Sequence, residues 1–223
     1  MTDANVEFRD QQLVPGGNIV RRKVVITTLF VGWLLTVGLG LKMVWNYAAQ
    51  AGESAAPPAH WPSASVLQPA SDRATLVLLA HPRCPCTRAT VNELAVLMAK
   101  CQGKVTAYAS FYRPAGAGDD WERTDLWKSA SEIPGVSVLH DEDGSVAASF
   151  NAATSGQVLL YDSRGDLLFA GGITSARGHS GDNSGREAII SILNNQTEEH
   201  QGTPVFGCPI FDPHSQCNEG THP

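Results

Sequence analysis

Charge is scarce in this sequence. Asp, Glu, Lys and Arg make up 17% of its 223 residues, and the acidic ones prevail by a net −6. No basic patch or aromatic stacking motif accompanies them, which argues against nucleic acid as a partner. No stretch repeats, so a solenoid is excluded as well. Residues 24–41, VVITTLFVGWLLTVGLGL, carry no charge at all. Met43, Val44 and Trp45 extend the run past Lys42, and about 20 apolar residues at ~1.5 Å each suffice to cross a hydrocarbon core. Arg21, Arg22 and Lys23 abut its N-terminal end, with only Lys42 beyond. The positive-inside rule therefore places residues 1–23 in the cytoplasm and the long remainder outside the inner membrane. Ala49-Gln50-Ala51 has the form of a cleavage site, but the run exceeds the roughly 7–15 residues of a signal-peptide core. An uncleaved single-pass anchor over 24–45 is the expectation.

Residues 46–72, rich in Ala, Pro, Ser and Gln, have no apolar period and read as a flexible linker. The domain is expected over 73–195. Residues 75–80 form an apolar run of strand length, of the kind buried on both faces. From Thr87 onward, Val91, Leu94, Ala95, Met98 and Cys101 recur at helical spacing, and Gln102-Gly103 ends the helix. Residues 105–112 read as a second strand, 119–133 as a helix and 136–139 as a third strand. A turn at 141–144 precedes a short helix over 145–151. Residues 157–161 and 167–170 flank a hairpin turn, and 184–194 is a last helix. The order βα, βα, βα, ββα implies an α/β fold, a mixed sheet flanked by helices. Residues 196–223, with Cys208, Cys217 and four prolines, read as an irregular tail.

What the chain does have is a concentration of chemistry where the first strand meets the first helix, at Cys84-Pro85-Cys86. A thiolate is the nucleophile in disulfide exchange, and a helix N-terminus stabilises it with free N–H groups and a partial positive charge. Arg83 and Arg88 add charge nearby, and Pro85 suits a first helical turn. Cys84 is the expected attacking thiol and Cys86 a resolving partner, although a ring that small departs from preferred disulfide geometry. Five cysteines in an extracytoplasmic domain leave one unpaired. Cys101 lies on the apolar stripe and reads as a core thiol. Cys208 and Cys217 read as a local staple, or alternatively Cys208 reaches back to Cys84.

Strand directions bring residues 155–157 and the loop 174–183 to the same edge as the cysteines. His179 is a candidate proton shuttle with Asp182 orienting it, against a bland reading in which Asp182 or Ser184 merely caps the last helix. His81 either tunes the thiols or faces solvent. Trp121 and Trp127 read as packing residues.

The motifs HPRCPCTRA (81–89), GQVLLYDSRGDLLFAGGIT (156–174) and RGHSGDNSGR (177–186) resemble the thioredoxin-like superfamily over residues 73–195, and within it the membrane-anchored bacterial proteins described as RedB-like. The resemblance implies a thioredoxin-like domain behind a single transmembrane helix, in the periplasm, exchanging disulfides with protein thiols. It makes Cys84, with Cys86 or Thr87, the active-site positions; by their place at the same sheet edge, His81, Pro85, Ser155, Gly156, Arg177 and Asp182 are the expected residues facing the client. Two features depart from the family. Its motif is C-x-x-C, whereas here it is C-x-C, or C-x-x-T with Thr87 in the second place. Its cis-proline before the hairpin is replaced by Ser155-Gly156-Gln157. No cofactor is implied for this function. An alternative is a copper-handling protein of the Sco type, with Cys84, Cys86 and His179 or His81 as a soft donor set, although that family spaces its cysteines C-x-x-x-C. A second alternative is a non-catalytic thioredoxin-like interaction domain with structural cysteines.

Overall fold

The computed structural model describes residues 17–53, 55–118, 120–195 and 202–211. The chain divides into two compact units, Met1–Asn46 and Tyr47–Pro223.

The first unit is carried by helix α1, Gly17–Ala49, whose large apolar side chains, among them Ile26, Phe30, Trp33 and Leu35, are exposed. The Thr28 and Thr36 hydroxyls donate to the carbonyls of Val24 and Gly32 one turn back, at 2.9 Å each. These polar groups are thus satisfied within the helix, as a lipid environment requires. By length and composition, residues Asn18–Ala49, which hold an 18-residue window of mean hydropathy 2.2, are apolar enough to cross a membrane. A signal sequence meets the same criterion.

The second unit is built on a five-stranded sheet of order β3-β2-β1-β4-β5. Strands β1 (Ala74–Ala80), β2 (Val105–Arg113) and β3 (Val136–Glu142) are parallel, while β4 (Gln157–Tyr161) runs antiparallel to β1 and β5 (Leu167–Gly171) antiparallel to β4. Helices α2 (Pro85–Lys100), α3 (Asp125–Ser131), α4 (Ser145–Ser149) and α5 (Ser184–Leu193) complete it. The uninterrupted apolar run of β1 follows from its central place. Leu76, Leu78 and Ala80 face a core shared with α2, α3 and α5, and Val77 and Leu79 face a second core with α4, Leu159 and Tyr161. Both pleat faces are covered, and the one polar side chain of the strand, Thr75, is buried with its hydroxyl accepting from the Ala70 N–H at 2.8 Å.

Some expected boundaries shift. The helix expected over 119–133 is reduced to Asp125–Ser131. Ahead of it Trp121 turns its edge to Tyr112, and Glu122 is buried 3.7 Å from Arg113 and 3.8 Å from His140, so these side chains are drawn to the sheet. Strand β3 continues beyond residue 139 to Glu142. The buried Asp141 carboxylate there accepts from the Val146 and Ala147 N–H groups at 2.7 and 2.8 Å, which caps α4. Burial raises its pKa, and those donors oppose the shift. Helix α4 ends at Ser149, two residues before the expected boundary.

The larger correction concerns the linker. Residues expected to hang as a tether instead lie against the domain. Trp61 donates its N–H to the Gly165 carbonyl at 2.7 Å and sets its ring edge-on to Phe150 and Tyr161, at 5.1 and 5.2 Å. Leu67 is buried in the same cluster. The reason is supply: the short α4 cannot cover that face, and Trp61 and Leu67 contribute the missing apolar surface. The tail is likewise engaged, with Ile210 buried beside Leu79 and Phe150 in that core.

Trp61→Ala should therefore destabilise the chain by about 2–4 kcal/mol. The effect is read as a lowered urea midpoint, whereas truncation in a free tether would leave the midpoint unchanged.

Candidate functional site

Helix α2 starts at Pro85, and Cys84 is its N-cap, with extended backbone (φ −83, ψ 115) and no side-chain cap of its own. Pro85 occupies the first helical position, where a missing N–H costs nothing. The Cys84 sulfur thus lies at the positive end of the helix, and Cys86 follows in the first turn. Opposite them, at the start of β4, the buried Ser155 hydroxyl accepts from the His81 N–H at 2.7 Å and shares a hydrogen bond with the Thr87 hydroxyl at 2.8 Å. Gly156 has φ +91 and donates to the Leu79 carbonyl at 2.8 Å. That positive φ explains a glycine beside the serine.

The tail supplies the third sulfur. The Ser155 N–H donates to the Cys208 carbonyl at 2.8 Å, and Ile210 N–H to the Ala153 carbonyl at 2.9 Å. An antiparallel bridge links Thr154 to Pro209. The chain passes so close that a Cβ on Gly207 would lie 1.8 Å from the Ser155 oxygen. This seats the Cys208 Sγ 3.3 Å from the Cys84 Sγ, far beyond the ~2.05 Å of a disulfide. All three cysteines are free thiols.

The electrostatics assign the three sulfurs different protonation. Cys84 is held well below an ordinary thiol, first by the Cys208 thiol, then by Cys86, with Thr87 and the Cys208 N–H adding to this against the cost of burial. Cys208 is pushed far up by Cys84 first, then by Cys86 and burial. The Cys208 thiol pulls Cys86 down, but Cys84 and burial outweigh it, so Cys86 is raised. Of the three sulfurs, Cys84 is the one whose thiolate is favoured, and Cys208 is the one whose proton is retained most strongly. Arg83 and Arg88 are not its source. The Arg83 guanidinium lies 4.6 Å over the Trp121 ring, and Arg88 pairs with Asp125. Arg177 instead acts on Cys86, favouring its thiolate.

The loop 174–183 is held beside the cysteine helix by a carboxylate with no obvious sequence signal. Glu93, buried on α2, accepts from the Gly181 N–H at 2.6 Å and from Asn183 Nδ2 at 3.3 Å, and pairs with the buried Arg186. Asn183, not Asp182 or Ser184, caps α5, its Oδ1 accepting from the Arg186 N–H at 2.7 Å. The expected His179–Asp182 pair is not assembled. His179 is exposed with Nδ1 3.1 Å from the Arg177 carbonyl, and Asp182 pairs with Arg186 at 3.4 Å. Both side chains are drawn to partners within the loop and its helix.

His81 does not face solvent. It is buried, stacked 5.8 Å from Tyr112 and edge-on to Trp121 at 5.5 Å, and its Nδ1 accepts from the Arg83 N–H at 3.2 Å. Pro85 is exposed, whereas Thr87, Ser155 and Gly156 are buried. Trp127 packs on Phe111, and Cys101 is a core thiol whose pKa burial raises. Cys217 lies outside the described residues. Among the described residues no group of three or more His, Cys, Asp or Glu side chains is arranged to hold a metal ion.

No family model matches the sequence, and no curated protein does. Among solved structures, a hypothetical protein of Sinorhizobium meliloti is 22% identical with a TM-score of 0.54, over 73% of this chain and 97% of its own. An uncharacterized conserved protein of Geobacillus kaustophilus is 21% identical with a TM-score of 0.53, over 73% of this chain and 92% of its own. A secreted disulfide oxidoreductase of Mycobacterium tuberculosis is more distant, 15% identical with a TM-score of 0.40, over 55% of this chain and 81% of its own. The fold is thioredoxin-like. Its βαβ half and ββα half meet where β1 pairs with β4, and one helix apolar enough to span a membrane precedes them in sequence. The likeness is one of fold and leaves activity to the site.

Three outcomes follow from this geometry. Titration of thiolate ultraviolet absorbance, taken as the difference between the native chain and Cys84→Ser, should show a midpoint well below the ~8.5 of a free thiol. Cys208→Ala should move that midpoint up by removing the first donor. Glu93→Ala should cost about 3–5 kcal/mol, because it strands the buried Arg186 charge, and chemical denaturation would read the loss.

Proposed function

We propose that this chain is a membrane-tethered thiol–disulfide oxidoreductase of the RedB-like kind, acting on protein thiols or disulfides outside the bacterial inner membrane. The observation that carries this reading is the Cys84 sulfur at the N-cap of α2, 3.3 Å from the Cys208 sulfur, in surroundings that favour its thiolate. A low-pKa sulfur at a helix N-terminus is what disulfide exchange requires of a nucleophile.

In one direction the Cys84 thiolate attacks a client disulfide. A Cys84–client bond forms, the client S–S bond breaks, and the departing client thiolate takes a proton. A second protein thiolate then attacks the Cys84 sulfur, releasing the other client sulfur. The client is reduced by two electrons and the protein gains one disulfide. The reverse sequence oxidises a client dithiol. Pro85, exposed beside the thiols, and Arg177 are the proposed client contacts. The tether reading rests on the uncharged run of α1 with Arg21, Arg22 and Lys23 at one end and Lys42 at the other, which orients the domain away from the cytoplasm.

Cys84→Ser should reduce exchange with a small aromatic disulfide to the uncatalysed background while leaving the far-ultraviolet circular dichroism unchanged. Retention of near-native exchange by that variant would sink the proposal.

A further inference from the structure

We infer that Cys208, carried on the tail, is the thiol that resolves the Cys84 mixed disulfide, and that Cys86 is not. The inference rests on the exchange reaction proposed above and names the residue that completes it.

The first argument is placement. Two backbone hydrogen bonds, from Ser155 N–H to the Cys208 carbonyl and from Ile210 N–H to the Ala153 carbonyl, together make the Thr154–Pro209 bridge that fixes Cys208 over Cys84. Gly207 makes the approach possible, because any side chain there would enter the Ser155 carbonyl. From 3.3 Å, the two sulfurs need to close by only about 1.3 Å to reach bonding distance. Chain so irregular has no helical or sheet reason to be held this tightly, yet it is held at its cysteine.

The second argument is ring geometry. Cys84 and Cys86 are separated by Pro85 alone, and Cys86 already belongs to the first turn of α2. Joining them closes a very small ring that departs from preferred disulfide geometry and would disturb the helix start. Cys208 approaches from a separate segment, and a bond to it leaves α2 intact.

The third is the order of charges. Cys84 is the leading cause of the upward push on Cys208. Once the Cys84 sulfur has attacked a client disulfide it is neutral, and that restraint on Cys208 ends. Cys208 then yields its proton more readily, attacks the Cys84 sulfur and expels the client thiolate, which is protonated on leaving. One S–S bond breaks as one forms. The exposures agree with this order, since Cys84 is fully buried beneath the tail while Cys208 is half-exposed. The client sulfur reaches Cys84 by taking the place of Cys208, and the tail returns to finish the exchange.

The test uses the full chain in detergent, with Cys101→Ala and Cys217→Ser throughout, and dithiobis(nitrobenzoic acid) as the probe disulfide. With Cys84, Cys86 and Cys208 present, each probe molecule consumed should release two coloured thiolates and leave a Cys84–Cys208 bridge in the peptide masses. Cys86→Ser should do the same. Cys208→Ser should release one and stall as a Cys84 adduct. Gly207→Val retains every site thiol but unseats the tail. It should slow the second release by about tenfold, the effect of losing one or two hydrogen bonds of ordinary strength, while the first release from Cys84 still reaches one equivalent. Completion by Cys208→Ser with stalling by Cys86→Ser would overturn the inference and make Cys86 the resolving thiol. An unslowed second release in Gly207→Val would remove the tail's docking from the mechanism. If Cys84 releases no first equivalent in any variant, the exchange reaction itself is wrong and the inference falls with it.

Discussion

Three stretches of chain remote in sequence meet at Ser155, and the site depends on that meeting. Its hydroxyl accepts from the His81 N–H at the end of β1 and bonds Thr87 in the first turn of α2, while its N–H donates to the Cys208 carbonyl of the tail. The serine therefore fixes the strand that delivers Cys84, the helix that activates it and the segment that covers it. A proline here, as the thioredoxin-like resemblance would place one, has no N–H. It could not hold Cys208, and it has no hydroxyl to tie His81 to Thr87. The departure from the family pattern at this position and the presence of a tail thiol over Cys84 are the same structural fact seen from two sides.

Much of the fold was legible because it rests on local signals. The β1 run, the stripe of α2 and the turn residues between β4 and β5 each carry their own periodicity, and the strand order follows from the handedness of parallel crossovers. The placement of 155–157 and 174–183 near the thiols was a consequence of that topology. The misreadings share a different cause. Trp61, Leu67 and Ile210 sit in segments without period, and isolated apolar residues in Pro- and Ser-rich chain look like linker. Only the incomplete cover provided by α4 explains why they are buried. The helix expected over 119–133 failed for the same reason, since Trp121 and Glu122 answer to the sheet and not to their neighbours.

Within the site, residue types were legible and their partners were not. A cysteine pair at a helix start announces itself, but which charge acts on it depends on geometry. Arg83 and Arg88 are adjacent in sequence and engaged elsewhere, by Trp121 and Asp125, whereas Arg177 acts on Cys86 from a loop far along the chain. Glu93 was missed because a glutamate on a helix is normally solvated. Its spacing of seven from Cys86, two turns on the same face, was the available signal. Its pairing with Arg186 and Asn183 holds the loop that carries Arg177, so a buried ion pair sets the position of a half-exposed charge near the sulfurs.

The three sulfurs then divide the work by burial and charge. A lone buried thiol would resist ionisation, because low dielectric penalises the charged form. Cys84 escapes that penalty by standing at a helix N-terminus and by accepting hydrogen bonds from Cys208, so the group that shields it from solvent is also the one that stabilises its charge. Cover and activation are coupled. In the proposed exchange, lifting the tail would expose the nucleophile to a client and at the same moment remove a donor, leaving the thiolate less stabilised and more ready to form a bond. An exposed thiolate of equally low pKa would be stable but a weaker nucleophile for its ionisation, since nucleophilicity falls with pKa. A tail that lifts would avoid that trade, because the low pKa would be held only while the site is closed.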